Sequence, residues 1–286
     1  MLKLIECPRD AMQGLHTFIP TENKINYLNQ LLQVGFDTLD CGSFVSPKAI
    51  PQMADIKEVI SKLKIENSST KLLVIVANLR GAQQACEEEK VSYIGYPFSL
   101  SETFQQRNTN KSMADAYNEI VEIASLAGKN NKEIVLYFSM GFGNPYGDEW
   151  NAKFVEEWLV KFKAAGIKIF SLSDTVGTAK PEDISTIFSE LITNYPELEI
   201  GAHFHSTAEN QYAKIEAAYN AGCRRFDSAM LGFGGCPMAK DDLVGNIDTV
   251  FLKHFFDTIY MENTNLDETE FEKAREMASK LFGQFS

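Results

Sequence analysis

No apolar run in the 286 residues approaches 18 uncharged positions, which excludes an ordinary transmembrane helix. The start, MLKLIECPRD, meets charge and a proline too early for a signal-peptide core. A disulfide or structural-zinc framework is missing as well. The five cysteines (Cys7, Cys41, Cys86, Cys223, Cys236) are odd in number, scattered, and never spaced C-x-x-C, a usage that suits a reducing compartment. Positive charge is scarce: 27 Lys and Arg stand against 39 Asp and Glu, a net of −12. That balance argues against nucleic acid and against an anionic membrane as partners. The expectation from these absences is a cytoplasmic enzyme. Any anionic substrate would need a local positive centre set against the global field.

What is present is an alternation. Short β-rich runs fall at Lys3–Cys7, Asp37–Cys41, Lys71–Ala77, Ser92–Tyr96, Glu133–Phe138, Ile167–Leu172, Leu198–Phe204 and Arg225–Ala229. Most are dominated by Leu, Ile, Val, Phe or Tyr, as parallel strands buried on both faces require. Amphipathic stretches lie between them: Thr21–Val34, Pro51–Leu63, Ser112–Ala127, Trp150–Ala165, Pro181–Asn194 and Ala208–Ala221. Thr21 reads as an N-cap and Gly35 as a C-terminal stop. Two further helical segments follow, Asp248–Tyr260 and Glu268–Phe282.

Length alone gives about 1.9 domains at ~150 residues each, but no linker or composition shift divides the chain. Eight strand–helix units in this length predict an α/β fold, a TIM (β/α)8 barrel over about 2–247 with additional C-terminal helices over about 248–286. No G-x-G-x-x-G follows the first strand, which weakens a doubly wound dinucleotide-binding sheet.

In such a barrel, chemistry collects where strands end. His203-Phe204-His205 carries the most physical content there, because residues i and i+2 of a strand face the same way and both imidazoles would enter the barrel mouth. With Asp10 after strand 1 and Asn246 in the last loop they make an N2O2 set suited to Mn2+, Mg2+, Co2+ or Fe2+ with open positions. By itself His-x-His is a weak signal that fits a structural strand somewhat better than a ligand pair. Arg9 is either a surface ion-pair partner of Asp10 or a guanidinium facing the mouth, able to stabilise an enolate oxygen. Asp40 at the end of strand 2 has three readings: an orienting carboxylate, a proton-transfer partner or a loop cap. Asp174-Thr175 reads as a helix-start or turn feature. A lone cysteine is usually a small buried hydrophobe. Cys236 differs in its setting, Gly232-Phe233-Gly234-Gly235-Cys236-Pro237, where the glycines imply a mobile loop or close approach to ligand.

Pro8-Arg9-Asp10 with Gln13, Ser43-Phe44-Val45-Ser46-Pro47-Lys48 with Pro51-Gln52-Met53-Ala54-Asp55, Ser171–Gly177, His203-Phe204-His205 and Gly232–Pro237 with Gly245-Asn246 occur in one order along the chain. In these segments, from about residue 3 to 246, the chain resembles the 3-hydroxy-3-methylglutaryl-CoA lyases, within the metal-dependent aldolase and Claisen-condensing barrels. The resemblance implies a divalent cation, Mg2+ or Mn2+, on Asp10, His203, His205 and Asn246. It implies catalytic roles for Arg9, Asp40, His203 and Cys236, and substrate contacts at Arg9, Gln13, Ser43, Lys48 and Thr175. The implied reaction is retro-Claisen cleavage of the hydroxymethylglutaryl thioester, with an acyl-CoA as the small-molecule partner and a homodimer as a compatible assembly. A sibling aldolase or condensing enzyme acting on another 3-hydroxyacyl-CoA or hydroxy-oxo acid is the alternative. This sequence departs from the family pattern at Asp40 (usually Glu), Ser206 (usually Asp), Met140 and Asn144 (often Cys), and Met238 with Lys240–Asp242.

Overall fold

The computed structural model describes residues 1–234 and 244–285. Eight parallel strands close into a barrel in sequence order: β1 (Lys3–Glu6), β2 (Thr38–Ser43), β3 (Lys71–Ile75), β4 (Val91–Ser99), β5 (Glu133–Ser139), β6 (Ile169–Asp174), β7 (Glu199–Phe204) and β8 (Arg225–Ser228). Closure is made by β1, which pairs with β2 on one side and with β8 on the other, Glu6 lying opposite Ser228. The helices between strands are α1 (Pro8–Gln13), α2 (Thr21–Val34), α3 (Ile56–Lys62), α4 (Leu79–Glu87), α5 (Glu102–Thr109), α6 (Met113–Lys129), α7 (Ala152–Ala164), α8 (Pro181–Asn194) and α9 (Gln211–Asn220). Beyond the barrel come α10 (Thr249–His254), which runs into a π turn at Phe255–Ile259, and α11 (Glu268–Phe285). The TIM-barrel expectation with C-terminal helices is met. No helix among the described residues is long and apolar enough to cross a membrane.

Alternation along the strands sorts the core into two layers. Leu73, Ile75, Tyr93, Val135, Tyr137 and Ile169 form one cluster, and a larger one packs strands against helices. Behind β4 to β6 that larger layer is aromatic: Phe98, Phe138, Trp158 and Phe162 meet with ring centroids 4.8 to 6.0 Å apart. Arg225 also enters the barrel, and Gly201 opposite makes the room, since a Cβ there would stand 2.8 Å from the Arg225 side chain.

Several local expectations need correction. Thr21 is the first helical residue rather than the N-cap: Pro20 takes that place with extended backbone, and no side chain caps the helix. Gly35 does end it, at φ +94°. Pro51–Leu63 is two elements, a short 3-10 turn over Pro51–Met53 and then α3. Strand β4 runs on through Pro97, and helices α4 and α5 follow strands where no helix is read from the pattern. The Pro8–Gln13 segment after β1 is helix α1, with Pro8 supplying the fixed φ of a helix start.

Candidate active site

The site is assembled at the C-terminal ends of the strands, around a cavity of about 280 Å3. Helix α1 begins directly after β1 and buries Arg9 and Asp10 together. Arg9 is heavily committed. Its Nε donates to Asp40 Oδ2 at 3.0 Å and its Nη2 to the same oxygen at 2.6 Å. Its Nη1 serves Asp10 Oδ1 at 3.0 Å and Gln13 Oε1 at 2.8 Å. A guanidinium has five N–H groups, so one, on Nη2, is left over for another acceptor. Gln13 in turn donates to Asp10 Oδ1. Arg9 is therefore no surface ion pair, and its two carboxylate partners hold it protonated despite burial.

Asp10 is flanked on its other oxygen. Asn246 Nδ2 donates to Asp10 Oδ2 at 2.7 Å and to the Phe233 carbonyl at 2.9 Å. An isolated bridge between Asn246 and His205 ties the last loop to the end of β7. Candidate ligand atoms of Asp10, His203 and His205 lie within 4.8 Å of one another. Gly234 closes over this group with φ +109°, and a Cβ there would meet Asn246 Nδ2 at 2.4 Å and the Asp10 carbonyl at 3.1 Å. Only glycine fits so near an anchored carboxylate.

A carboxylate, two imidazoles and a carboxamide are the donor chemistry of a divalent cation of the Mg2+, Mn2+ or Fe2+ type. Their ionisation suits the task. Burial would raise the Asp10 carboxyl, yet Arg9, the two imidazoles and Asn246 outweigh it and hold it below its ordinary value. Burial, with His203 beside it, lowers His205 to about 4, keeping it the neutral imidazole that a metal requires. At His203 burial pulls downward but the hydrogen bond and charge of Asp227 prevail, so its value is raised. Asp40, 1% exposed, is pushed up to about 6 by burial against the pull of Arg9, and remains the anion at neutral pH.

The walls of the cavity differ. Ile75, Ala77, Pro97, Phe104, Val45 and Ile50 make an apolar side, while Tyr137, Ser139, Ser173, Thr175, His203 and His205 make a polar one. Thr175 Oγ1 accepts the Met140 N–H at 2.8 Å, which leaves its own hydrogen to donate. Of the residues expected at the site, Arg9, Asp10, Gln13, Thr175, His203 and His205 line the cavity. Asp40 and Asn246 stand behind them, bonded to Arg9 and Asp10. Ser43 is buried and its hydroxyl accepts the Val45 N–H, and Lys48 is exposed; neither is among the lining residues. Cys236, with Met238 and Lys240–Asp242, lies outside the described residues.

Asp174 proves to be a turn organiser. Its carboxylate accepts the Thr178 and Ala179 N–H groups and pairs with buried Lys214, which also holds the His205 carbonyl at 3.0 Å. Asn144 likewise organises the loop after β5, accepting the Tyr146 and Asp148 N–H groups. Asp227, which touches His203, was not singled out from the sequence. Its signal was Arg225-x-Asp227, two charges at strand spacing on one inner face.

The family model for HMGL-like proteins matches residues 3–277. A cytoplasmic 3-hydroxy-3-methylglutaryl-CoA lyase of Rattus norvegicus is 32% identical over 265 residues, 92% of this chain and 74% of that protein. A 3-hydroxy-3-isohexenylglutaryl-CoA/hydroxy-methylglutaryl-CoA lyase of Pseudomonas aeruginosa is 30% identical over 247 residues, 86% of this chain and 81% of that one. An HMG-CoA lyase structure from Acinetobacter baumannii, in complex with coenzyme A and 3-methylmalate, superposes with a TM-score of 0.91 at 30% identity. It covers 99% of this chain and 92% of that one. With the barrel, its motifs and these likenesses in agreement, the chain belongs to the HMGL-like family.

Proposed function

We propose that this protein is a divalent-metal-dependent carbon–carbon lyase that cleaves 3-hydroxy-3-methylglutaryl-CoA to acetyl-CoA and acetoacetate, and that it works in the cytoplasm. The observation that carries this reading is the joining of Arg9 and Asp10 to His203 and His205 at one cavity on the catalytic face of the barrel. Asp10, His203, His205 and Asn246 would hold Mg2+ or Mn2+, which when bound supplies Lewis-acid polarisation and lowers the pKa of the substrate hydroxyl.

The chain's own residues do the rest. A general base takes the C3 hydroxyl proton, and that oxygen becomes a carbonyl as the C2–C3 bond breaks. The bonding pair passes to C2 as a thioester enolate, which a proton returns to acetyl-CoA. Arg9 offers its remaining Nη2 N–H to the developing enolate oxygen, and such a charge-assisted bond strengthens as the charge grows. Asp40 orients Arg9 from behind, since it grips Nε and Nη2 and does not line the cavity. Gln13 locks Arg9 to Asp10. Thr175 donates to a substrate carboxylate, and the apolar wall excludes water from the enolate.

The purified protein is expected to release acetoacetate and acetyl-CoA from hydroxymethylglutaryl-CoA with Mg2+ or Mn2+ and a thiol reductant. Chelation should abolish turnover and added metal should restore it. No cleavage under those conditions would sink the reading. The second reading keeps this chemistry for a 3-hydroxyacyl-CoA with a bulkier C3 substituent. The apolar wall and the isohexenyl substrate named for the Pseudomonas relative favour it. A panel of 3-hydroxyacyl-CoAs separates the two by kcat/KM.

A further inference from the structure

Asp227 lies within β8, directly opposite His203 in the register between β7 and β8. It is 3% exposed and is absent from the cavity lining. Its Oδ2 stands 3.1 Å from His203 Nδ1 and accepts the Ser171 hydroxyl at 3.4 Å. Its Oδ1 makes no hydrogen bond among the described residues. Arg225, two residues earlier on the same inner face, adds the charge that a buried carboxylate needs, while its Nη1 bonds Glu199 at 3.0 Å. Tyr137 packs edge-on to the His203 ring at 5.6 Å and limits its rotation.

An ionised carboxylate only accepts hydrogen bonds, so the ring nitrogen that faces it must carry the proton. In the neutral imidazole the other nitrogen then has the lone pair. Cys7 also offers its Sγ near this pair, but as a buried thiol held protonated it is the weaker acceptor. We propose that Asp227 is the positioning residue for His203: it accepts a hydrogen bond from Nδ1–H, fixes that tautomer and the ring plane, and so reserves Nε2 for the divalent cation. The inference rests on the metal reading above, and it places the partner of one ligand within β8, behind the cavity lining. Outer carboxylates of this kind are worth about 10–100-fold in metal affinity.

Only four histidines are present, so long-range 1H–15N correlation spectra of the metal-free protein at pH 8.5 are tractable, with His203 assigned through His203→Gln. The wild-type ring is expected as the Nδ1–H tautomer. Asp227→Ala should erase that preference and weaken Mn2+ binding, followed by electron paramagnetic resonance, by about 10–100-fold. Asp227→Asn, which keeps an acceptor but no charge, should fall between. A wild-type Nε2–H tautomer, or wild-type Mn2+ affinity in a folded Asp227→Ala, overturns the proposal. If the alanine variant fails to fold, the wild-type spectrum decides alone. Failure of wild-type protein to bind Mn2+ would instead strike the metal reading itself, and a cleavage assay that fails while both measurements hold would strike only the substrate.

Discussion

Arg9 shows how much one side chain organises. Four of its N–H groups are spent on Asp40, Asp10 and Gln13, and the fork geometry lets two of them meet one carboxylate. Lysine has three donors on one atom and cannot span these partners. Arg9→Lys is therefore expected to cut kcat by about 100- to 1000-fold, the scale of a lost oxyanion donor. It should also destabilise the fold by about 3–5 kcal/mol, because a buried carboxylate loses its bidentate partner. Turnover within threefold of wild type would show that the guanidinium does not meet the reacting oxygen. Arg9, Asp10, His203 and His205 were legible as candidates because they fall at strand ends, where a barrel gathers its chemistry, although Asp174 shows that a charge at such an end can serve a turn instead. Asp227 was not, since it stands inside a strand where apolar residues are expected, and its meaning depends on which ring lies opposite.

At the scale of elements, the segment after β8 is tied to β1 by a carboxyl. Glu6 Oε1 accepts the Met230 N–H at 2.8 Å and Oε2 meets the Thr249 hydroxyl at 2.6 Å, joining β1 to both sides of the last loop. Burial raises Glu6 from its ordinary 4.5 to about 8, so the folded protein prefers it protonated. Between those values the folded state binds a proton that the unfolded chain has released, and stability falls as pH rises. Glu6→Gln copies the neutral carboxyl, keeping an acceptor for Met230 and donating to Thr249. Its Tm relative to wild type should therefore climb from pH 5 to pH 8, by the equivalent of a few kcal/mol. Calorimetry at pH 5, 6.5 and 8 checks this, and a constant difference between the two proteins would refute it. Periodicity found the strands well because a parallel barrel makes each of them a short apolar run. It missed α4 and α5 because no stripe of large apolar side chains marks them: α4 buries Gly81, Ala82 and Ala85, and α5 buries Phe104 and Gln105. The helix over Thr21–Val34 is where the pattern puts it, but Thr21 does not cap it, because Pro20 occupies the N-cap position and fixes the entry of the chain.

For the molecule as a whole, the net charge of −12 sets a field that a polyanionic CoA ester must cross. Arg9 is the only lysine or arginine among the described residues lining the cavity, and its charge is answered at once by Asp40 and Asp10. Among the lining residues, local attraction therefore rests on one N–H of Arg9 and on any cation the site holds, and repulsion between like charges is expected to govern the approach. Salt reverses its usual effect in such a case. At about 0.01 M ionic strength the Debye length is ~30 Å and the whole surface is felt, whereas at about 0.15 M it is ~8 Å and most of the repulsion is screened. With metal held saturating, kcat/KM for the CoA ester is expected to rise about 2- to 5-fold over that range, with kcat nearly constant, because screening speeds encounter and leaves the chemistry alone. A neutral pantetheine thioester of the same acyl group should show no such rise. A fall in kcat/KM with salt would mean that basic side chains near the mouth steer the phosphates in spite of the global charge, and that encounter is decided by the local surface.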